Sequence, residues 1–325
     1  MQVNPPPTAI LGGPGHGKTT VSLKASQDER VAQRYGIRRF FVRCDSSTTR
    51  DALVSDVAFS MGLQPEPNLE PQMFAVLKQG PAVLVFDNAE TPWEADPQAT
   101  EALLAELAAI SGLCLVISIR GTQRPQGVAW REPIVVPPLE LHAAREAFLA
   151  VSGKGHRNDR YLDSLIDAVD RVPLGICLLA CQAEGQPNLD GLYSRWGAEK
   201  TALLQRSGGG TRLTNLEVSL EISITSSRMS EPARRLLMML GLLPDGIAWE
   251  DLESLLPGLS AKASADLRHV GLAYDENSRL RVHSLVREYT GKRYTQSETD
   301  LDATIAHFVR MPGTERVRGT HPGAI

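Results

Sequence analysis

Short apolar runs alternate with helix-forming stretches through the first third of the chain. Thr8-Ala9-Ile10-Leu11, Arg39-Phe40-Phe41-Val42-Arg43, Ala82-Val83-Leu84-Val85-Phe86 and Leu113-Cys114-Leu115-Val116-Ile117-Ser118-Ile119 predict four strands, with Pro133-Ile134-Val135-Val136 a weaker fifth. The central runs are apolar throughout, as expected of parallel strands covered on both faces. Between the third and fourth lies Thr100-Glu101-Ala102-Leu103-Leu104-Ala105-Glu106-Leu107-Ala108, rich in strong helix formers. Strands alternating with helices predict βαβ crossovers and an α/β, doubly wound parallel sheet.

The pattern changes at Pro137-Pro138. From Leu139 to about Arg206 it is helical, and Ser207-Gly208-Gly209-Gly210-Thr211 reads as a linker or loop. Helical periods resume at Asn215, including Glu231 to Leu240, with Ser230 placed to cap and Pro232 in the first turn. Two short extended runs, Leu272-Ala273-Tyr274 and Arg279-Leu280-Arg281-Val282, flank the turn-prone Asp275-Glu276-Asn277-Ser278 and predict a hairpin. Three helices followed by a hairpin describe a winged helix. The tail from about Gly313 reads as disordered, and no internal repeat is visible.

Composition narrows the class. At 325 residues, with 42% hydrophobic and 22% charged side chains, the chain is long enough for two or three packed domains and too apolar for a disordered protein. Its 34 basic and 38 acidic side chains leave a net charge of −4, which argues against a protein that coats nucleic acid. No apolar run reaches the roughly 20 residues of a membrane span, and the Met1-Gln2-Val3-Asn4-Pro5-Pro6-Pro7 opening lacks the features of a secretory signal. Cys44, Cys114, Cys177 and Cys181 show no metal-ligand spacing and read as reduced, mostly buried thiols of a cytoplasmic protein.

Gly12-Gly13-Pro14-Gly15-His16-Gly17-Lys18-Thr19 fits the phosphate-loop pattern G-x-x-x-x-G-K-[ST] without a mismatch. Glycines let successive backbone N–H groups turn toward a polyphosphate, Lys18 reaches the β- and γ-phosphates, and the Thr19 hydroxyl ligates Mg2+. Gly13 through Thr20 are therefore the expected ATP/ADP-binding residues, at the positive end of the helix that follows. Such a loop needs a carboxylate at the end of a neighbouring apolar strand. Asp87, closing Val83-Leu84-Val85-Phe86, supplies it as the Walker B acid and second Mg2+ partner, roughly 70 residues downstream. Asn88 stands where many ATPases carry the acid that polarises the attacking water, so hydrolysis is expected to be slow; Glu90 could substitute but reads better as a loop cap. Arg120, ending the fourth strand, belongs at the same carboxyl edge, where a γ-phosphate sensor would sit. Lys18, Asp87 and Arg120 are the catalytic candidates.

In this order the motifs resemble the NB-ARC class of STAND nucleotide switches, the class of plant immune receptors and apoptosome ATPases. Pro138-Leu139-Glu140-Leu141 with Ala144 to Phe148 is similar to the segment opening that family's first helical domain. Val172-Pro173-Leu174-Gly175-Ile176 resembles its GLPL motif, which implies that Pro173 packs near the adenine. Val282-His283-Ser284 resembles the MHD motif, which implies that His283 contacts the β-phosphate of ADP. The resemblance covers about residues 8 to 295 and implies a nucleotide-binding domain over 1–138, a helical domain over 139–210, a winged-helix domain over 211–295 and a tail over 296–325 in which Leu301 to Arg310 could begin a helical array. Two departures stand out. Ser284 replaces the acid that helps lock the winged helix in the ADP state, so tight locking does not carry over. Seven residues precede the first strand, where the family has a segment covering the adenine, so either the chain is shortened there or its base pocket is more open.

The function expected from the resemblance is an ADP/ATP switch: closed with ADP, open and self-associating with ATP, working with effector and sensor partners that the sequence does not name. A winged-helix DNA-binding regulator is the alternative. Its candidate recognition helix, Ala261 to His269, carries both charge signs and no basic stripe, so nucleic acid is not the expected partner. A fast ATPase or kinase fits poorly with Asn88 and with the lack of a site for a second phosphate-bearing substrate.

Overall fold

The apolar runs before Pro138 form one parallel sheet in the computed structural model, which describes residues 5–64, 67–206, 215–258, 260–294, 301–302 and 304–305. The Ser207–Thr211 segment, the tail from Gly313 and most of Leu301–Arg310 lie outside those residues. The chain divides into two compact units, one ending at Pro137 and the other beginning at Pro138.

The first unit runs β1 (Thr8–Gly12), α1 (Lys18–Gln27), α2 (Glu29–Tyr35), β2 (Arg39–Arg43), α3 (Arg50–Ser60), α4 (Leu69–Leu77), β3 (Ala82–Asp87), α5 (Glu90–Ala95), α6 (Pro97–Ala108), β4 (Leu113–Arg120) and β5 (Ile134–Val135). The strands are parallel in the order β2-β3-β4-β1-β5. Both faces of the sheet are covered, which explains the uninterrupted apolar runs. Leu84, Phe86, Leu115 and Ile117 pack against Leu103, Leu104 and Leu107 of α6, while Val83 and Val85 point the other way, toward Tyr35 of α2. Side-chain caps start the helices where the sequence turns: Asp28, Thr49 and Asp96 accept from the backbone N–H groups of Arg30, Ala52 and Ala99, with Pro97 in the first turn of α6.

Parallel pairing delivers all carboxyl ends to one edge. Gly12 lies beside Arg120 across β1 and β4, and Arg43 beside Asp87 across β2 and β3. Because β4 is inserted between β1 and β3, the loop after β1 and the acid ending β3 are two strands apart, and β4 passes between them.

The second unit is mostly helical: α7 (Leu141–Ser152), α8 (Leu162–Ala168), α9 (Pro173–Ala183), α10 (Asp190–Arg206), α11 (Asn215–Ile224), α12 (Glu231–Gly241), β6 (Ile247–Ala248), α13 (Trp249–Leu255), α14 (Ser260–His269), β7 (Ala273–Glu276), β8 (Arg279–Val282) and α15 (Ser284–Arg293). The hairpin β7–β8 turns through Asn277 and Ser278, at φ 48° and 58°, the left-handed pair a two-residue hairpin needs. A third strand, β6, joins it on the β8 side through Ile247 and Ala248.

Helix α11 has apolar residues at every second position. Two residues advance about 200° around a helix, so alternation yields two opposed apolar stripes. Val218 and Ile222 enter one core with Phe148, Leu165 and Leu179, whereas Leu216, Leu220 and Ile224 enter another with Leu236, Leu267 and Val286. On the same helix the buried Glu221 carboxylate accepts from the hydroxyls of Tyr289 (2.6 Å) and Tyr294 (2.9 Å). Cys44 and Cys181 are buried, Cys114 and Cys177 half-buried, and all four are free thiols. Among the described residues no helix is long and apolar enough to cross a membrane.

Candidate functional site

The loop from β1 into α1 is shaped by its glycines. Gly17 caps α1 at φ 87°, a conformation side chains resist, and a Cβ at Gly13 would lie 2.8 Å from His16 Nε2. The His16 ring is turned so that Nδ1 lies 3.1 Å from the Val136 carbonyl oxygen. Pro14 and Gly15 complete the bend, with Gly15 at φ 73°. The first-turn N–H groups of α1 have no carbonyl within the helix to receive them. Thr20, in that turn, is exposed.

Lys18 folds back beneath the loop. Its Nζ donates to the carbonyls of Gly12 and Gly13, both at 3.0 Å, and the side chain is buried. Burial holds its pKa below the usual lysine value, the Glu90 and Asp87 carboxylates working against that shift and Arg120 adding to it. The buried ammonium is thus held by neutral carbonyls and balanced by two nearby acids.

Two strands and a helix meet at Asp87. The Thr19 hydroxyl donates to Oδ2 at 2.8 Å and the Ser118 hydroxyl to Oδ1 at 2.5 Å, the latter from β4. Asp87 is wholly buried, and desolvation pushes its pKa up; the Ser118 and Thr19 hydrogen bonds and the Arg43 charge oppose that. Asn88 takes φ 57°, its backbone N–H donating to Ser118 Oγ at 3.1 Å and its amide to Asp45 at 2.9 Å. Glu90, opening α5, is 9% exposed and accepts from the backbone N–H of Arg120 at 3.2 Å. Its other oxygen is 3.8 Å from Arg120 Nε.

Lys18, Thr19, Asp87 and Arg120 therefore gather at the carboxyl edge of the sheet. Ser118, Asp45 and Glu90, which pairs with Arg120, also belong there and were not singled out by the sequence as site residues. Ser118 left one trace: it is the only hydroxyl in the Leu113–Ile119 apolar run, and a hydroxyl inside a two-sided strand needs a partner.

Pro173 and His283 belong to the second unit. Pro173 begins α9, after Asp170 and Arg171 at φ 52° and 55°. Gly175 lies so close to α8 that a Cβ there would be 2.8 Å from Val169 Cβ. His283 is exposed at the start of α15, its ring 4.6 Å from the Tyr274 ring at a 30° tilt.

No protein-family model matches the sequence, and no curated protein matches it either. Solved structures do match. A Signal Transduction ATPase with Numerous Domains (STAND) from Pyrococcus horikoshii, with a tetratricopeptide repeat sensor, is 13% identical, with TM-score 0.58 over 97% of this chain and 47% of its own. The chain thus spans about half the length of that protein. Cdc6p from Pyrobaculum aerophilum is 17% identical over 97% of this chain and 89% of its own, with TM-score 0.43. The Aeropyrum pernix ORC1 protein, solved in complex with DNA, is 14% identical over 89% and 87%, with TM-score 0.41. The first unit has the α/β P-loop NTPase fold. The expectation that nucleic acid is not a partner draws no support from these likenesses.

Proposed function

We propose that the chain is the ATP- and ADP-binding switch of a STAND-type regulator, as its motifs suggest. The observation that carries this is the buried Lys18 ammonium beneath a glycine loop, beside a Thr19–Asp87 pair. An ammonium and unpaired first-turn N–H groups form a donor set that suits a polyphosphate. Thr19 Oγ1 and Asp87 Oδ2 are hard oxygens 2.8 Å apart, close to the roughly 3.0 Å between adjacent ligands of an octahedral ion with bonds of about 2.1 Å. Those two residues would hold Mg2+, which supplies charge neutralisation on the phosphate oxygens. Lys18 binds the β- and γ-phosphates, and Gly13 to Thr20 wrap them.

In this reading residues 211–295, with α11 to α15 and β6 to β8, form the winged-helix domain, and residues 139–210 form the helical domain before it. Pro173 borders the base, His283 contacts the β-phosphate in the ADP state, and Arg120 senses the γ-phosphate. Unequal contacts with the two nucleotides bias a closed and an open, self-associating form. Asn88 brings no carboxylate to an attacking water, so the hydrolysis that resets the switch is slow.

The test is to denature purified protein and identify released nucleotide by ion-exchange chromatography. Near-stoichiometric ADP is expected from wild type and none from folded Lys18→Ala. A wild-type protein that is empty and fails to bind added ADP or ATP overturns the reading. A salt-dependent shift with duplex DNA would favour α14 as a recognition helix instead.

A further inference from the structure

Glu90 is a buried carboxylate with no part in the chemistry above. It reaches one neighbour in two ways: Oε2 accepts the Arg120 backbone N–H at 3.2 Å, and Oε1 lies 3.8 Å from that residue's Nε. The first contact fixes Glu90 to the end of β4 whatever the Arg120 side chain does. The second exceeds the 2.7–2.9 Å of a charge-assisted hydrogen bond, so Glu90 acts on the guanidinium through its charge. Arg120 pairs in register with Gly12, the last residue before the glycine loop, and Gly121 follows at φ 94°. The Lys18 ammonium also feels the Glu90 charge. With Asp87 and Glu90 against Lys18 and Arg120, the four charges balance before any nucleotide arrives.

Resting on the nucleotide reading above, we infer that Glu90 is a built-in counter-anion that occupies Arg120 until the γ-phosphate of ATP takes its place. A phosphate offers the guanidinium two short parallel hydrogen bonds where Glu90 offers one long ionic contact, and that difference favours ATP. ADP has no γ-phosphate and leaves the Glu90–Arg120 pair intact. Glu90 is thus a positioning residue that acts through Arg120 and sets how far the site prefers ATP over ADP.

The experiment measures Kd for ADP and for ATP with Mg2+, by calorimetry, in wild type, Glu90→Gln, Arg120→Ala and the double variant. Removing the competing charge should shift the ADP-to-ATP Kd ratio toward ATP by about tenfold, within the usual range of coupling between sites. In the Arg120→Ala background the same substitution should leave the ratio unchanged. An equal shift in that background would mean that Glu90 merely repels the γ-phosphate, and would overturn the inference. So would an unchanged ratio accompanied by lost turnover, which would make Glu90 the general base. Should Glu90→Gln not fold, Glu90→Asp withdraws the charge by one methylene and should shift the ratio the same way by less; no shift overturns the inference. A wild-type protein that binds neither nucleotide removes the underlying reading, and the inference falls with it. Binding with an unaltered ratio removes the inference alone.

Discussion

Ser118 Oγ donates to Asp87 Oδ1 from the neighbouring strand while accepting the backbone N–H of Asn88. One hydroxyl on β4 thereby fixes both the acid that closes β3 and the turn that leaves it. Being 31 residues from Asp87, it reaches the acid only because β4 is threaded between β1 and β3.

Ser118→Ala should therefore act on stability and on Mg2+ dependence together. Asp87 loses one of its two hydroxyl donors in a fully buried setting, and the Asn88 N–H loses its acceptor. Leaving such groups undersatisfied costs about 1–3 kcal/mol. Urea unfolding should show a lower midpoint at unchanged slope, and nucleotide affinity should depend less on Mg2+. An unchanged midpoint would deny Ser118 this role.

Gly175→Ala tests how closely α9 approaches α8. The added Cβ would lie 2.8 Å from Val169 Cβ, so one of two packed helices has to move. Overpacking of this kind costs about 1–3 kcal/mol. In the Val169→Ala background the penalty should shrink, a non-additivity that thermal melts of both single variants and the double variant would read.

The Tyr289 hydroxyl is pushed well above the ordinary tyrosine pKa, first by burial and then by its hydrogen bond to Glu221. The folded state keeps a proton that the unfolded chain releases at about pH 10, so the contribution to stability is full below that pH and lost above it. Tyr289→Phe should flatten the fall in melting temperature above pH 10, and should lower stability at pH 7 because Glu221 loses a donor. The same alkaline slope in both proteins would contradict this.

His283→Ala should weaken ADP more than ATP, by a factor of about 5 to 10 on the scale of ordinary couplings. Equal losses in paired titrations would end its part in the switch and leave the ring as a packing partner of Tyr274.

The parts legible in the sequence were those written in short spans. The four central strands and the phosphate loop depend on neighbours a few residues apart, so apolar runs and one contiguous motif sufficed. The Ser118–Asp87 and Glu90–Arg120 links join residues 31 and 30 apart, and only strand order brings them together. Strand β6 has two residues, too few for any periodicity. Helix α9 begins at Pro173, a start the residue alone does not signal, because proline is as suited to a first helical turn as to a bend.

Helix α11 also bears on how the second unit can move. A boundary at residue 210 assigns the helix to the later region, yet Val218 and Ile222 belong to the earlier core. Any parting of those two cores must peel α11 from one of them, wetting either that pair or Leu216, Leu220 and Ile224. At about 1.5–3 kcal/mol for each side chain, even the smaller loss is roughly 3–6 kcal/mol. The helix thus rivets the two cores together, and that cost is the least their separation requires.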